Sequence, residues 1–70
     1  MTYSEEIKKL RQKCFLSQEA FANELGVSFS SINRWEGGKS KPNISAMKKI
    51  VNFCNSNNLD FSNLEKEYYK

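Results

Sequence analysis

The stretch QEAFANELGVSFSSINRWEG, residues 18–37, decides the fold, because its small, turn and apolar residues are spaced as two helices crossing at a sharp turn require. Ala22 is small where the second helix must approach closely. Gly26 follows Leu25 where the chain has to leave the first helix, which favours a positive φ. The residues expected to hold the two helices together are Phe21, Leu25, Val27, Ile32 and Trp35. The stretch therefore predicts a helix-turn-helix.

Helical spacing and capping residues continue the pattern toward the N-terminus. A helix is expected over residues 4–13, capped by Thr2 or Ser4, with apolar residues along one face. Ser17 is expected to cap the first helix of the central motif, and Ser28 the second. No segment of the chain has the alternation of a strand.

The helical pattern is interrupted after the motif. We expect its second helix to end at Gly37 and Gly38. Pro42 cannot continue a helix and biases the residue before it toward an extended conformation, so residues 39–42 are expected to form a loop.

Two more helices are expected after this loop. Asn43 or Ser45 would cap the first, which would end within residues 55–58. The residues from Ser62 to Glu65 have the pattern of a capping box and would open a short last helix. The expected fold class is all-α, a compact bundle of about five short helices in a single domain over residues 1–70.

The size and composition exclude several classes of function. A chain of 70 residues buries only about 60% of the surface that its unfolded form exposes, which leaves little room for a deep catalytic pocket. There is no histidine, and Cys14 and Cys54 are isolated, so neither a C-x-x-C metal pair nor a Cys/His dyad is available. We expect reduced core cysteines, no enzyme, no catalytic or metal site and no cofactor.

The charge distribution indicates a polyanionic partner. The net charge is +3, and Lys8, Lys9, Lys48 and Lys49 belong to two basic segments that flank the motif, residues 1–13 and 39–54. Such a flank can attract nucleic acid, although lysines that merely solvate helix faces would look the same. No apolar run is long enough for a signal peptide or a membrane span, so we expect a cytoplasmic protein.

Residues 16–42, LSQEAFANELGVSFSSINRWEGGKSKP, resemble the helix-turn-helix of the phage repressor and Cro family of DNA-binding domains. The likeness lies in the Leu-Ser-Gln-Glu opening, the Leu-Gly-Val turn and the Trp-Glu-x-Gly-Lys-x-x-Pro exit. Gly37 departs from the family, which often has asparagine there. The resemblance implies a lambda-repressor-like domain that binds double-stranded operator DNA.

The outward face near the start of the third helix is expected to read bases, since Ile32 and Trp35 must face inward. Arg34 can grip guanine and Asn33 can pair with adenine, whereas an exposed Phe29 could contact a thymine methyl group. Alternatively, Phe29 fills a crevice in the protein and the polar side chains are only solvated. The candidate base-reading residues are Ser28, Phe29, Ser30, Asn33 and Arg34.

A second set of residues is expected to bind phosphates. Such contacts position the base-reading helix without contributing sequence specificity. Gln18 and Lys39 match the family's phosphate contacts most closely, and Ser31 could instead bond its own helix. The full set is Gln18, Ser31, Lys39, Ser40 and Lys41. The resemblance also implies a structural ion pair between Arg11 and Glu36, the alternative being a solvated Glu36.

The expected function is sequence-specific DNA binding by a transcriptional regulator, most simply a repressor. One recognition helix reads few bases, so a homodimer spanning two half-sites is expected. The candidate self-association surface is the aromatic tail, Phe61, Leu64, Tyr68 and Tyr69. Alternatively, Phe61 and Leu64 only close the core. An antitoxin or restriction controller governed by a protein partner, and an interaction module that has lost DNA binding, also remain open.

Overall fold

Five α-helices follow one another in the computed structural model, which describes residues 2–70. They are Tyr3–Lys13 (α1), Gln18–Leu25 (α2), Phe29–Glu36 (α3), Ile44–Ser56 (α4) and Ser62–Tyr68 (α5). No strand occurs among the described residues. The all-α fold class is therefore confirmed, and α1 begins one residue earlier than expected.

Side-chain caps begin the first four helices at the positions that the sequence indicated. Ser17, Ser28 and Asn43 each accept a hydrogen bond from the backbone N–H three residues on. At α1 the cap is Thr2, whose hydroxyl accepts from the Glu5 N–H at 3.3 Å while the Glu5 carboxylate accepts from the Thr2 N–H at 3.1 Å. This reciprocal arrangement gives a hydrogen-bond acceptor to two backbone N–H groups that have none within the helix.

The predicted capping box at the start of α5 is wrong. Ser62 is the first helical residue, and Phe61 precedes it without a side-chain cap. The Ser62 N–H instead donates to Asp60 Oδ1 at 3.0 Å, and its hydroxyl donates to the same carboxylate. A charged acceptor two residues upstream competes successfully for both groups. The same bonds hold the pKa of Asp60 below its ordinary value.

The turn between α2 and α3 has the geometry that the sequence predicted. Gly26 lies in the left-handed region with φ 71°, and the next amide, of Val27, donates back to the Ala22 carbonyl at 3.0 Å. The turn before α2 is less expected, because Phe15 also has a positive φ, 56°, and is 96% exposed. The turn between α2 and α3 thus has a glycine at its positive φ, where glycine meets no steric penalty. The turn before α2 has a bulky aromatic residue in the same backbone conformation.

The core receives side chains from all five helices. Phe21 packs edge to face against Phe53, with ring centroids 5.4 Å apart. Leu64 is 1% exposed and Phe61 packs against the same cluster, so these two residues close the core, as the alternative proposed. The buried apolar residues are Ile7, Leu10, Phe21, Ala22, Leu25, Ile32, Trp35, Ala46, Ile50, Cys54 and Leu64.

Neither cysteine forms a disulfide. Cys54 is fully buried, and burial raises the pKa of its thiol to about 11, whereas Cys14 is half-buried. The described residues contain no group of acidic or cysteine side chains arranged to hold a metal ion. Within the same residues, no helix has the length and apolarity to span a membrane.

Candidate nucleic-acid interface

The helix-turn-helix consists of α2 and α3, which pack on each other through one side of α3. Ile32 is 0% exposed and Trp35 is 5% exposed, so both face inward as expected. Ala22, at 2% exposure, allows the close approach of the two helices. With these side chains buried, the opposite side of α3 faces solvent.

The solvent-facing side of α3 carries all the residues that the sequence predicted to read bases. Ser28, Phe29, Ser30, Asn33 and Arg34 are all exposed. Phe29 exposes half of its surface rather than being enclosed by the protein. Arg34 forms no ion pair with any residue in the described part of the chain. Its guanidinium can therefore engage a ligand without breaking an internal bond.

Two hydroxyl groups at the start of α3 are bonded to each other. The Ser28 hydroxyl accepts from the Ser31 N–H at 3.1 Å and lies 3.0 Å from the Ser31 hydroxyl. Ser31 thus bonds the cap of its own helix rather than a helix carbonyl. This pair fixes the first turn of α3, next to the exposed Phe29 and Ser30.

A bidentate ion pair joins α1 to the end of α3. The Arg11 Nε lies 2.8 Å from Glu36 Oε2 and its Nη2 lies 3.0 Å from Oε1, while Nη1 donates to the Leu16 carbonyl at 2.9 Å. The side chains are only 14% and 4% exposed. The hydrogen bonds that Arg11 donates to the Glu36 carboxylate raise the pKa of Arg11 above its ordinary value. The pair ties the end of α3 to α1.

Gln18 extends this network toward the exposed face of α3. Its amide Nε2 donates to Glu36 Oε1 at 3.1 Å, and its Oε1 accepts from Asn33 Nδ2 at 3.4 Å. The side chain predicted to grip phosphate is thus in contact with both the ion pair and a candidate base reader. The first amides of α2, which have no partner within the helix, lie at the same end.

A polar cleft of about 400 Å³ opens between α3 and the start of α4. Arg34 lines it on the α3 side, and the Lys49 ammonium reaches across from α4 to donate to the Gly26 carbonyl at 3.2 Å. Ser45 and Lys49 were not among the predicted site residues, although the basic segment 39–54 pointed to this part of the chain. The cleft is further lined by Ser31, Ser40, Asn43 and Ser45.

The loop between α3 and α4 separates its two lysines. Lys39 is exposed and close in sequence to Arg34, whose carbonyl accepts from the Lys39 N–H at 2.9 Å. The Lys41 ammonium, predicted to bind phosphate, donates to the carbonyls of Tyr68 and Lys70 at 3.2 and 3.4 Å, and Lys41 also lines the cleft beside Arg34. Carbonyls at the end of a helix and nearby aromatic rings both attract a cation, which accounts for these contacts.

The tight turn of α2 into α3 about Gly26 is the defining element of one class of fold, the helix-turn-helix. The chain belongs to the helix-turn-helix family, whose sequence model matches residues 7–61. The matched segment runs from Ile7 within α1 to Phe61, the residue before α5, and includes the whole candidate interface.

Three curated relatives extend this finding. The chain is 40% identical over 53 residues to the HTH-type transcriptional activator BcrR of Enterococcus faecalis, a match over 76% of the chain and 26% of BcrR. It is 39% identical over 56 residues to the plasmid copy control protein CopR of Streptococcus agalactiae, over 80% of the chain and 59% of CopR. It is 36% identical over 50 residues to the type II methyltransferase M.SsoII of Shigella sonnei, over 67% of the chain and 13% of that enzyme.

In each case the chain spans less than two thirds of the relative's length. No solved structure gives a significant match. The similarity therefore identifies the helix-turn-helix portion that these proteins share with the chain.

Proposed function

We propose that the chain is a transcriptional regulator that binds double-stranded operator DNA and lays α3 in the major groove. The observation that carries this proposal is the exposed face of α3, where Arg34 and Asn33 stand on a helix anchored by the Arg11–Glu36 pair. A rigid helix with short polar and basic side chains on its outer face fits the groove. Similarity to an activator and to a copy control protein supports a regulatory role.

Base recognition follows from the donors and acceptors on this face. Arg34 presents a planar fork of N–H groups that matches O6 and N7 of guanine, and Asn33 can pair with N6 and N7 of adenine. Phe29, half exposed beside them, is suited to the methyl group of thymine. Ser28 and Ser30 add short hydroxyl groups to the same face.

Phosphate binding is assigned to the surfaces that border α3. The cleft lined by Ser31, Ser40 and Lys49, with Lys39 nearby on the loop, supplies hydroxyl and ammonium donors on one side. Gln18 and the first amides of α2 supply donors on the other side. These contacts would fix the position of α3 without adding sequence preference.

Repression is the mode of regulation for which binding alone is sufficient, because a domain that occupies an operator excludes other proteins from it. Nothing in the proposed role requires catalysis. A regulator of this kind acts where the DNA is, which for a bacterial cell is the cytoplasm. The core shared by all five helices supports a single domain over the described residues, 2–70.

The second part of the proposal is a homodimer formed through a groove between α4 and α5. Ile44 and Tyr69, which line this groove, are 62% and 74% exposed although apolar. Lys48 and Glu65 also line it, and neither forms an ion pair with another described residue. A two-fold axis would pair each lysine with the glutamate of the other copy, as a self-complementary interface requires.

Replacing Ile44 and Tyr69 together by glutamate should therefore convert the dimer into a monomer, because four carboxylates would then face each other across the interface. Sedimentation equilibrium measures the change. The matched control is Phe15→Asn, which removes an exposed aromatic that does not line the groove. A folded double variant that is still as dimeric as the parent would exclude this groove as the interface.

Arg34→Ala and Lys39→Ala should have different effects on binding to a half-site. Loss of Arg34 should relax the preference at one base pair by about 1–3 kcal/mol, whereas loss of Lys39 should weaken all sequences alike and reduce the salt slope by about one. Selection from random duplexes, followed by titration of each variant against the selected site and its single-base changes, measures both. If Arg34→Ala and Lys39→Ala changed the base preference equally, the assignment of Arg34 to base reading and of Lys39 to a phosphate contact would be contradicted.

A further inference from the structure

The loop that follows the recognition helix is fastened to α5 by side chains rather than by its own backbone. Among the described residues, the amides of Ser40 and Lys41 make no backbone–backbone hydrogen bond. Pro42, which comes next, has no N–H to donate. The loop nevertheless carries Lys39 and Ser40, two of the residues assigned to phosphate. Its position therefore depends on side-chain contacts, among them the fully buried ring of Pro42 and the contacts with α5.

Tyr68 provides the shortest of these contacts. Its hydroxyl, in a partly buried position, donates to the Pro42 carbonyl at 2.7 Å. Its own carbonyl accepts from the Lys41 ammonium at 3.2 Å, and its ring lies 5.9 Å from the same ammonium. The ring of Tyr3 lies 5.7 Å from that ammonium on another side. Consecutive loop residues, Lys41 and Pro42, are thus both fixed to one residue of α5.

We propose that Tyr68 is a positioning residue for DNA binding. Through its hydroxyl it holds the loop in the conformation in which Lys39 and Ser40 meet the phosphate backbone. The proposal rests on the DNA-binding function proposed above and adds to it a residue that does not itself touch DNA. A loop fixed before binding has less conformational entropy to lose when the complex forms.

The phenolic hydroxyl can be removed without disturbing the rest of the contact. Tyr68→Phe keeps the ring in the α4–α5 groove and beside the Lys41 ammonium, and it removes only the bond to Pro42. Tyr3→Phe is the matched control. Tyr3 belongs to α1, its ring lies beside the same ammonium, and its hydroxyl makes no hydrogen bond to any residue among 2–70.

Affinity for a half-site duplex is the first measurement. Tyr68→Phe should bind every sequence about 3- to 10-fold more weakly than the parent, which corresponds to about 0.7–1.4 kcal/mol. The order of preference among bases should not change, because Arg34 and Asn33 are untouched. Tyr3→Phe should bind like the parent. Equal affinity of parent and Tyr68→Phe, or a changed preference at one base pair, would overturn the proposal.

Backbone 15N relaxation without DNA is the second measurement, and it does not depend on the proposed function. In Tyr68→Phe the order parameters of the Ser40 and Lys41 amides should fall clearly below those of the parent, while that of Ile50 in the core keeps its value. An equal decrease at Ile50 would mean that the hydroxyl only stabilises the whole fold, which overturns a positioning role.

The two measurements also distinguish failure of the positioning role from failure of the proposed DNA-binding function. If the parent binds no duplex at low salt, the DNA-binding proposal fails, and lower order parameters confined to Ser40 and Lys41 still show that Tyr68 holds the loop. If the parent binds and Tyr68→Phe matches it in both measurements, the positioning role alone fails.

Discussion

Replacing Glu36 by glutamine should lower the free energy of unfolding by about 3 kcal/mol, because it leaves the poorly exposed Arg11 guanidinium without a neutralising charge. The Glu36 side chain is 4% exposed and also accepts from Gln18, so few water molecules can take its place. For a domain of this size, such a loss is a large share of the total stability. Urea denaturation followed by circular dichroism measures it as a lower midpoint with an unchanged slope.

Glu67→Gln is the matched control for this experiment. Glu67 pairs with Lys70 at 3.0 Å, but the lysine is 71% exposed. A pair with one partner this exposed contributes at most about 1 kcal/mol, since solvent screens it and holding the two side chains together costs conformational entropy. If the midpoints of Glu36→Gln and Glu67→Gln coincide, the Arg11–Glu36 pair does not anchor the recognition helix in solution.

Raising the salt concentration from about 50 to 200 mM should reduce duplex affinity by on the order of 10²–10³, because each neutralised phosphate releases counterions when the complex forms. This estimate assumes two or three phosphate-binding cations in each copy of the dimer, among them Lys39 and Lys49. A mobility shift or fluorescence titration at several salt concentrations measures the slope directly. The effect is large because the proposed backbone contacts carry most of the affinity.

Two lysine variants make the salt experiment specific. Lys39→Ala should flatten the slope, since it removes one of the proposed contacts. Lys66→Ala removes an exposed lysine on α5, outside the proposed interface, and should leave the slope unchanged although it lowers the net charge equally. Equal slopes for both variants would show that only the overall charge matters. Undetectable duplex binding even at low salt would reject DNA binding altogether.

The parts of the fold that sequence analysis predicted correctly depend on local chemistry. Ser17, Ser28 and Asn43 cap helices because their side chains reach a backbone amide three residues away. Gly26 adopts a positive φ that other residues avoid. Each of these features can be recognised from a few neighbouring residues, so no knowledge of the tertiary structure is needed.

The features that sequence analysis missed depend on contacts distant in sequence or on competing local bonds. Lys41 and Tyr68 are 27 residues apart, and no periodicity indicates that the Lys41 ammonium would bond to carbonyls at the end of α5. At α5, the Ser62 N–H and hydroxyl donate to the Asp60 carboxylate, so the capping box expected with Ser62 as its cap does not form. The Arg11–Glu36 pair spans 25 residues and was expected only because the family resemblance implied it.

Trp35 gives the chain a built-in optical reporter. It is the single tryptophan of the sequence, it belongs to the recognition helix, and it is 5% exposed at the edge of the cleft that faces Lys49. Its emission therefore originates from the one helix whose placement matters most for binding. A shift of that emission to longer wavelength would report that water has reached the inner face of α3, with no label attached to the protein.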